Sequence, residues 1–143
     1  MKIFWTEGSQ TTYLGKVMDN WDFCNYSFSV KDENHNTIYY VEANCCQCGF
    51  WFKGCPCKKC EKVIFEMWYG DKKEKIPVPL LKVGKKSCAK NMLGDADNFS
   101  VPFPKGATFR DRALLLGLVL LIDYRLFEEG GGQQQGGGRH RGY

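Results

Sequence analysis

Polar and apolar residues alternate with a period of two along most of this chain. Tyr26, Phe28 and Val30 oppose Ser27, Ser29 and Lys31, and Val63, Phe65 and Met67 oppose Ile64, Glu66 and Trp68. Alternation of this kind marks strands with one buried face. It predicts strands at residues 3–5, 12–18, 26–31, 37–42, 62–69 and 76–83, with polar turns at 8–10, 19–20 and 32–36 between them. In the second strand, Tyr13, Gly15 and Val17 are predicted to face away from Leu14, Lys16 and Met18. In the last, Pro77 and Pro79 exclude a central position, because proline cannot donate to a sheet ladder.

The period changes near the C-terminus. Ala113, Leu114, Leu115, Leu116, Gly117, Leu118, Val119, Leu120, Leu121 and Ile122 form an unbroken apolar run, and Tyr124, Leu126 and Phe127 extend it past Asp123. Leu, Ala and Gly dominate, so propensity predicts a helix. Thr108 with Asp111 three residues later resembles a capping box, and Gly130 to Gly132 supply a stop. A helix apolar all round belongs in a protein core or a bilayer. A membrane span needs about 20 apolar residues and runs of about 10–14 are more often core helices. Asp123 and Arg125 interrupt this run, so a core helix is the expectation and a span the alternative. Short strands at hairpin spacing followed by one helix predict a mainly β chain whose antiparallel strands close on a C-terminal apolar helix.

Length changes this picture little: 143 residues suggest one domain with a modest core. The aromatic content of 15% favours strands. A net charge of +4 permits contact with anionic lipid or nucleic acid and demands neither, and nucleic acid is not an expected partner. The first strand opens almost at residue 1, with no signal peptide ahead of it, which fits a fragment, a truncated gene model or a short isoform. Eight cysteines without a signal predict a reducing compartment. Residues 130–143 read as a disordered Gly/Gln-rich basic tail beyond a domain at 1–129.

Catalytic chemistry finds little support. The chain has no P-loop, no strand-linked G-x-G-x-x-G and no G-x-S-x-G elbow, and His35 and His140 fall in a turn and in the tail. The cysteines are more informative. Cys45, Cys46 and Cys48 precede Cys55, Cys57 and Cys60, giving the C-x-x-C pairs Cys45/Cys48 and Cys57/Cys60. Four thiolates on two turns suit a tetrahedral Zn²⁺ ion, although the separation is shorter than in a usual zinc ribbon. Plain reduced thiols and acylation are the other two readings. Lys53, Lys58 and Lys59 would suit an anionic membrane surface, and Phe50, Trp51 and Phe52 its interface.

The segment Asp95-Ala96-Asp97-Asn98-Phe99, the following Phe103-Pro104, and then Leu121-Ile122-Asp123-Tyr124-Arg125-Leu126-Phe127-Glu128 resemble the C-terminal segment of the phospholipid scramblase family. Looser similarity runs upstream through Gly15-Lys16-Val17, Phe28-Ser29-Val30, Ile38-Tyr39-Tyr40-Val41, the cysteine hairpin and Val83-Gly84-Lys85-Lys86-Ser87. It covers most of the chain but only the C-terminal half of a typical member. The resemblance implies a tubby-like fold, here an antiparallel partial barrel wrapped around the helix. It implies Ca²⁺-influenced, ATP-independent scrambling of phospholipids at the plasma membrane, with the β domain on the cytoplasmic side and palmitoylation among the cysteines.

The resemblance also aligns residues 95–106 with a calcium-binding loop of the family, which places Asp95 and Asp97 at the first and third ligand positions. Phe99, Phe103 and Gly106 occupy the fifth, ninth and twelfth, so calcium binding is expected to be weak. An Asx turn leading into an edge strand is the alternative. One helix cannot line a polar path across about 30 Å of hydrocarbon, so lipid movement would call for a homo-oligomer. A lipid-anchored or soluble interaction module without transport is the rival function.

Overall fold

The computed structural model describes residues 1–20, 22–51, 62–83 and 98–128. Among the described residues, seven strands form one antiparallel sheet in which each pairs with its sequence neighbour: β1 (Lys2–Glu7), β2 (Gln10–Asn20), β3 (Asn25–Lys31), β4 (Thr37–Asn44), β5 (Lys62–Tyr69), β6 (Glu74–Val83) and β7 (Asn98–Ser100). A short helix α1 (Cys48–Trp51) follows β4, and α2 (Phe109–Asp123) runs on into a π-helical turn, Tyr124–Glu128. The sheet curves into a half-barrel around α2, the mainly β architecture that the alternating pattern predicts.

The inner face carries Val17, Phe28, Val30, Val41, Phe65, Met67 and Leu80, all shielded from solvent, and α2 adds Leu114, Leu115, Leu118 and Ile122. Burying one such side chain is worth about 1.5–3 kcal/mol. This apolar cluster is what holds the helix against the strands.

Two bulges alter the expected facing. In β2, Leu14 and Val17 are both buried, so the strict alternation predicted there fails. The β1–β2 register slips by one residue between Ile3 and Phe4, and the extra residue turns Leu14 inward. Gly15 sits at this slip with φ +152, where a Cβ would lie 2.2 Å from the Lys31 carbonyl oxygen. In β6, Pro77 and Pro79 fall inside a second slip, between Phe65↔Leu80 and Met67↔Ile76. There β6 pairs only with β5, because β7 joins it further along, at Leu81, Lys82 and Val83. The prolines therefore occupy a locally unpaired edge, as their missing N–H requires.

The capping box is present. Thr108 Oγ1 accepts from the Asp111 amide at 3.2 Å, and Asp111 Oδ2 accepts from the Thr108 amide at 2.8 Å. Ion pairs tether both ends of the helix: Arg110 to Glu33 at 2.8 Å, and Arg125 to Asp19 at 2.9 Å. Exposed pairs of this kind contribute about 0–1 kcal/mol each, so they fix orientation more than stability.

Candidate functional site

The helix is the first predicted feature to place. Leu114, Leu115, Leu118, Ile122 and Phe127 are buried, and Ala113, Val119 and Leu121 are partly buried against the core. Leu116 and Leu120 are not core residues: they are 51% and 66% exposed. With Phe109 and Tyr124 they form an exposed apolar stripe along α2. The expectation of burial all round is corrected here, because a half-barrel covers only one side of the cylinder. Among the described residues, no helix is long and apolar enough to cross a membrane. On the β1 side, Trp5 meets Phe109 edge-on with ring centroids 4.7 Å apart, and Ile3 reaches Gly117 so closely that a Cβ there would lie 2.5 Å from Ile3 Cδ1.

The cysteine turn is anchored rather than loose. The Gln47 side chain donates to the Ile64 carbonyl at 2.7 Å and accepts from the Ile64 amide at 2.8 Å, extending the β4–β5 pairing past its last backbone partners. Phe50 on α1 stacks on Phe127 at 5.9 Å, and its ring also meets Tyr26 at 4.9 Å and Phe65 at 6.0 Å. Phe50 is therefore a plug for this end of the core, which corrects its assignment to a membrane interface. The side chain of Trp51 and residue Phe52 lie outside the described residues.

Cys45 and Cys46 are thiols with sulfurs 3.9 Å apart, and Cys46 is exposed. Desolvation, and next the Cys46 hydrogen bond, shift the Cys45 pKa upward. Among the described residues, no three metal-ligating side chains converge. Cys55, Cys57 and Cys60, the other half of the zinc or acylation cluster, lie outside the described residues.

Asp95 and Asp97 also lie outside the described residues. Of the described part of that segment, residues 98–100 are strand β7 and residues 101–106 are coil and turn. Phe99 pairs with Lys82 in β7 and its ring lies 6.2 Å from Phe127, while Gly106 turns with φ +80. Neither Phe99 nor Gly106 offers a side-chain oxygen, so the fifth and twelfth positions supply no side-chain ligand.

Two features on the sheet escape sequence reasoning. A cleft of about 360 Å³ opens between the β2–β3 connection and the end of the helix, lined by Asp19, Asn20, Asp22, Asn25, Tyr26, Arg125 and Leu126. On the adjoining outer face, Tyr40 stands opposite Trp68 across β4 and β5, with rings 6.2 Å apart at 61°. Lys72, in the β5–β6 turn, lays its ammonium 4.8 Å from the Tyr40 ring centre and 5.5 Å from that of Trp68, and it meets the Glu42 carboxylate. Asn25 donates to the other Glu42 oxygen at 2.8 Å. The Glu42 hydrogen bond raises the Lys72 pKa. Only the strand register brings these residues together, and no local motif announces it.

The family model described as Scramblase matches residues 1–129. Among curated proteins, the chain is 27% identical to human "Phospholipid scramblase 1" over 125 residues, which is 87% of this chain and 36% of that protein. It is 27% identical to human "Phospholipid scramblase 2" over 115 residues, 80% of this chain and 35% of that protein. The rat "Phospholipid scramblase 1" is also 27% identical, over 87% of this chain. The chain thus spans about a third of the length of the curated relatives it matches. No solved structure matches.

Proposed function

Because this chain belongs to the scramblase family, we propose that it moves phospholipids between the leaflets of a membrane, or forms the part of a longer protein that does so. The match over residues 1–129, which takes in every described element, carries the reading.

The geometry supports a peripheral mode of action. The exposed stripe of Phe109, Leu116, Leu120 and Tyr124, with Trp5 beside it, has the composition of a face that lies in a membrane interface. Such faces sink about 5–10 Å into the headgroup boundary. Seated there, the half-barrel would disorder lipid packing and ease headgroups past the hydrocarbon without forming a channel by itself. A polar path across the bilayer would need several copies.

The finer points belong to the same proposal. Scrambling is downhill and needs no ATP. Calcium acts through Asp95 and Asp97 and binds weakly. The chain works at the cytoplasmic side of the plasma membrane, where its cysteines stay reduced or carry acyl groups.

The test is reconstitution into liposomes carrying a fluorescent phospholipid, with dithionite quenching followed with and without Ca²⁺ and without ATP. Loss of the protected inner-leaflet signal is the expected result, with the calcium response reduced in Asp95→Ala/Asp97→Ala. Protein that binds the vesicles while lipids stay put would overturn scrambling and leave a docking module.

A further inference from the structure

Two aromatic rings and a shielded carboxylate around one cation form a recognisable chemical device. Cation–π attraction is strongest over Trp and is strong over Tyr, and quaternary ammonium groups are bound in nature by such cages. Here the rings are Tyr40 and Trp68, the carboxylate is Glu42, and the cation is the protein's own Lys72. The carboxylate is well placed for this. Its Oε2 is buried, and Oε1 is held by Asn25 at 2.8 Å, so its orientation is set before any ligand arrives.

Lys72 is an occupant that can leave. It sits in a surface turn, its side chain is 47% exposed, and a flexible four-carbon stem separates its ammonium from the backbone. Its φ of +60 is unusual for a residue with a Cβ, and this backbone turn sends the side chain back across the sheet toward the rings. A second cation, Lys75, lies 5.7 Å from the Trp68 ring centre and pairs with Glu66 at 2.7 Å. A ligand that carries both a quaternary ammonium and a phosphate would find complementary groups for each.

We propose that Tyr40, Trp68 and Glu42 form a site for the choline headgroup of a phospholipid, occupied in the unliganded protein by Lys72, which on displacement joins Lys75 at the phosphate. The cage stands on its own geometry. Naming a lipid as the source of the choline rests on the phospholipid-handling function proposed above.

The discriminating probe is tetramethylammonium, which can enter the cage but offers Lys72 no phosphate. Binding to the full chain is followed by NMR at the Trp68 indole N–H and the Lys72 amide. Lys72→Ala removes the competitor. If Lys72 fills the cage in nine of ten molecules, tetramethylammonium should bind this variant about tenfold more tightly. Trp68→Ala should weaken binding by about tenfold, and Trp68→Phe, which keeps a packed ring, should weaken it less. A purely structural Lys72 would give no gain on its removal, so unchanged or weaker binding to Lys72→Ala overturns the proposal. Equal binding of tetramethylammonium to Trp68→Phe, Trp68→Ala and the parent overturns it too.

Phosphocholine, inorganic phosphate and vesicles of phosphatidylcholine or phosphatidylglycerol separate the sources. Preference for phosphatidylcholine vesicles over phosphatidylglycerol, lost in Trp68→Ala, supports the lipid. Binding of phosphocholine with no preference between the vesicles, or preference for a trimethyl-lysine peptide, overturns the lipid assignment. The solution titration needs no lipid transport, so it can succeed when the liposome assay fails, and fail when that assay succeeds.

Discussion

Leu118 and Leu120 stand two residues apart on α2, yet the fold gives them opposite surroundings: Leu118 is fully buried and Leu120 is 66% exposed. Truncating each to alanine therefore tests whether the helix is a core element. Leu118→Ala removes a side chain whose burial is worth about 1.5–3 kcal/mol and leaves a cavity, so the total loss should be about 3 kcal/mol within the usual range of 2–5. Leu120→Ala forfeits only the third of that transfer energy still shielded, roughly 0.5–1 kcal/mol, and alanine's better helix propensity offsets part of it. Urea unfolding followed by circular dichroism reads both, because a lowered midpoint at constant slope reports stability alone. The first variant should unfold at a clearly lower urea concentration, and the second close to the parent. Vesicle flotation should give the reverse ranking, with Leu120→Ala binding less well and Leu118→Ala unchanged where it remains folded. Equal losses of stability in the two variants would refute the orientation of α2, and with it the half-barrel packing.

Gly15→Ala should be among the most destabilising changes in β2, at about 2–4 kcal/mol, because its Cβ would meet the Lys31 carbonyl oxygen at a backbone angle that favours glycine. A thermal scan within 1 °C of the parent would contradict that close approach. Thr108→Ala should cost about 1 kcal/mol by deleting one arm of the capping box, and an unchanged urea midpoint would argue against it. Burial, with Asp111 and Tyr69 adding to it, pushes the Tyr39 phenol from 10.0 up to about 12. The folded state thus keeps a proton that the unfolded chain has lost, so this contribution is fully present below pH 10 and disappears as pH rises toward 12. Tyr39→Phe should flatten the alkaline limb of the stability profile, and a limb of unchanged steepness would exclude Tyr39 as its source.

Strand positions were legible because alternation is a local property. Val63, Phe65 and Met67 opposite Ile64, Glu66 and Trp68 mark a strand at residues 62–69, the bounds that β5 has. The same logic failed at Leu14, where a register slip against β1 reset the alternation and nothing in β2 itself records the partner strand. The capping box was readable from Thr108 and Asp111 because a helix start is local as well. How much of α2 is covered was not, since exposure of Leu116 and Leu120 depends on how far the sheet curls round them. The Tyr40–Trp68–Glu42–Lys72 group was invisible for the same reason: it is assembled from two strands and a turn by register, whereas cysteine spacing and acidic repeats are local along the chain.

The strand order from β1 to β7 follows the sequence without a crossover, and the helix that completes the core is encoded after all of them. On a ribosome adding about 5–20 residues per second, each hairpin has its partner within reach almost as soon as it emerges. The apolar face of the growing sheet does not: Phe28, Val41 and Phe65 stay bare for the seconds needed to translate as far as Leu118 and Ile122. That interval makes the nascent chain a natural client for a hydrophobic-binding chaperone. A stalled or prematurely terminated product ending before Phe109 would retain the sheet's sticky surface permanently and should partition into aggregates or be degraded.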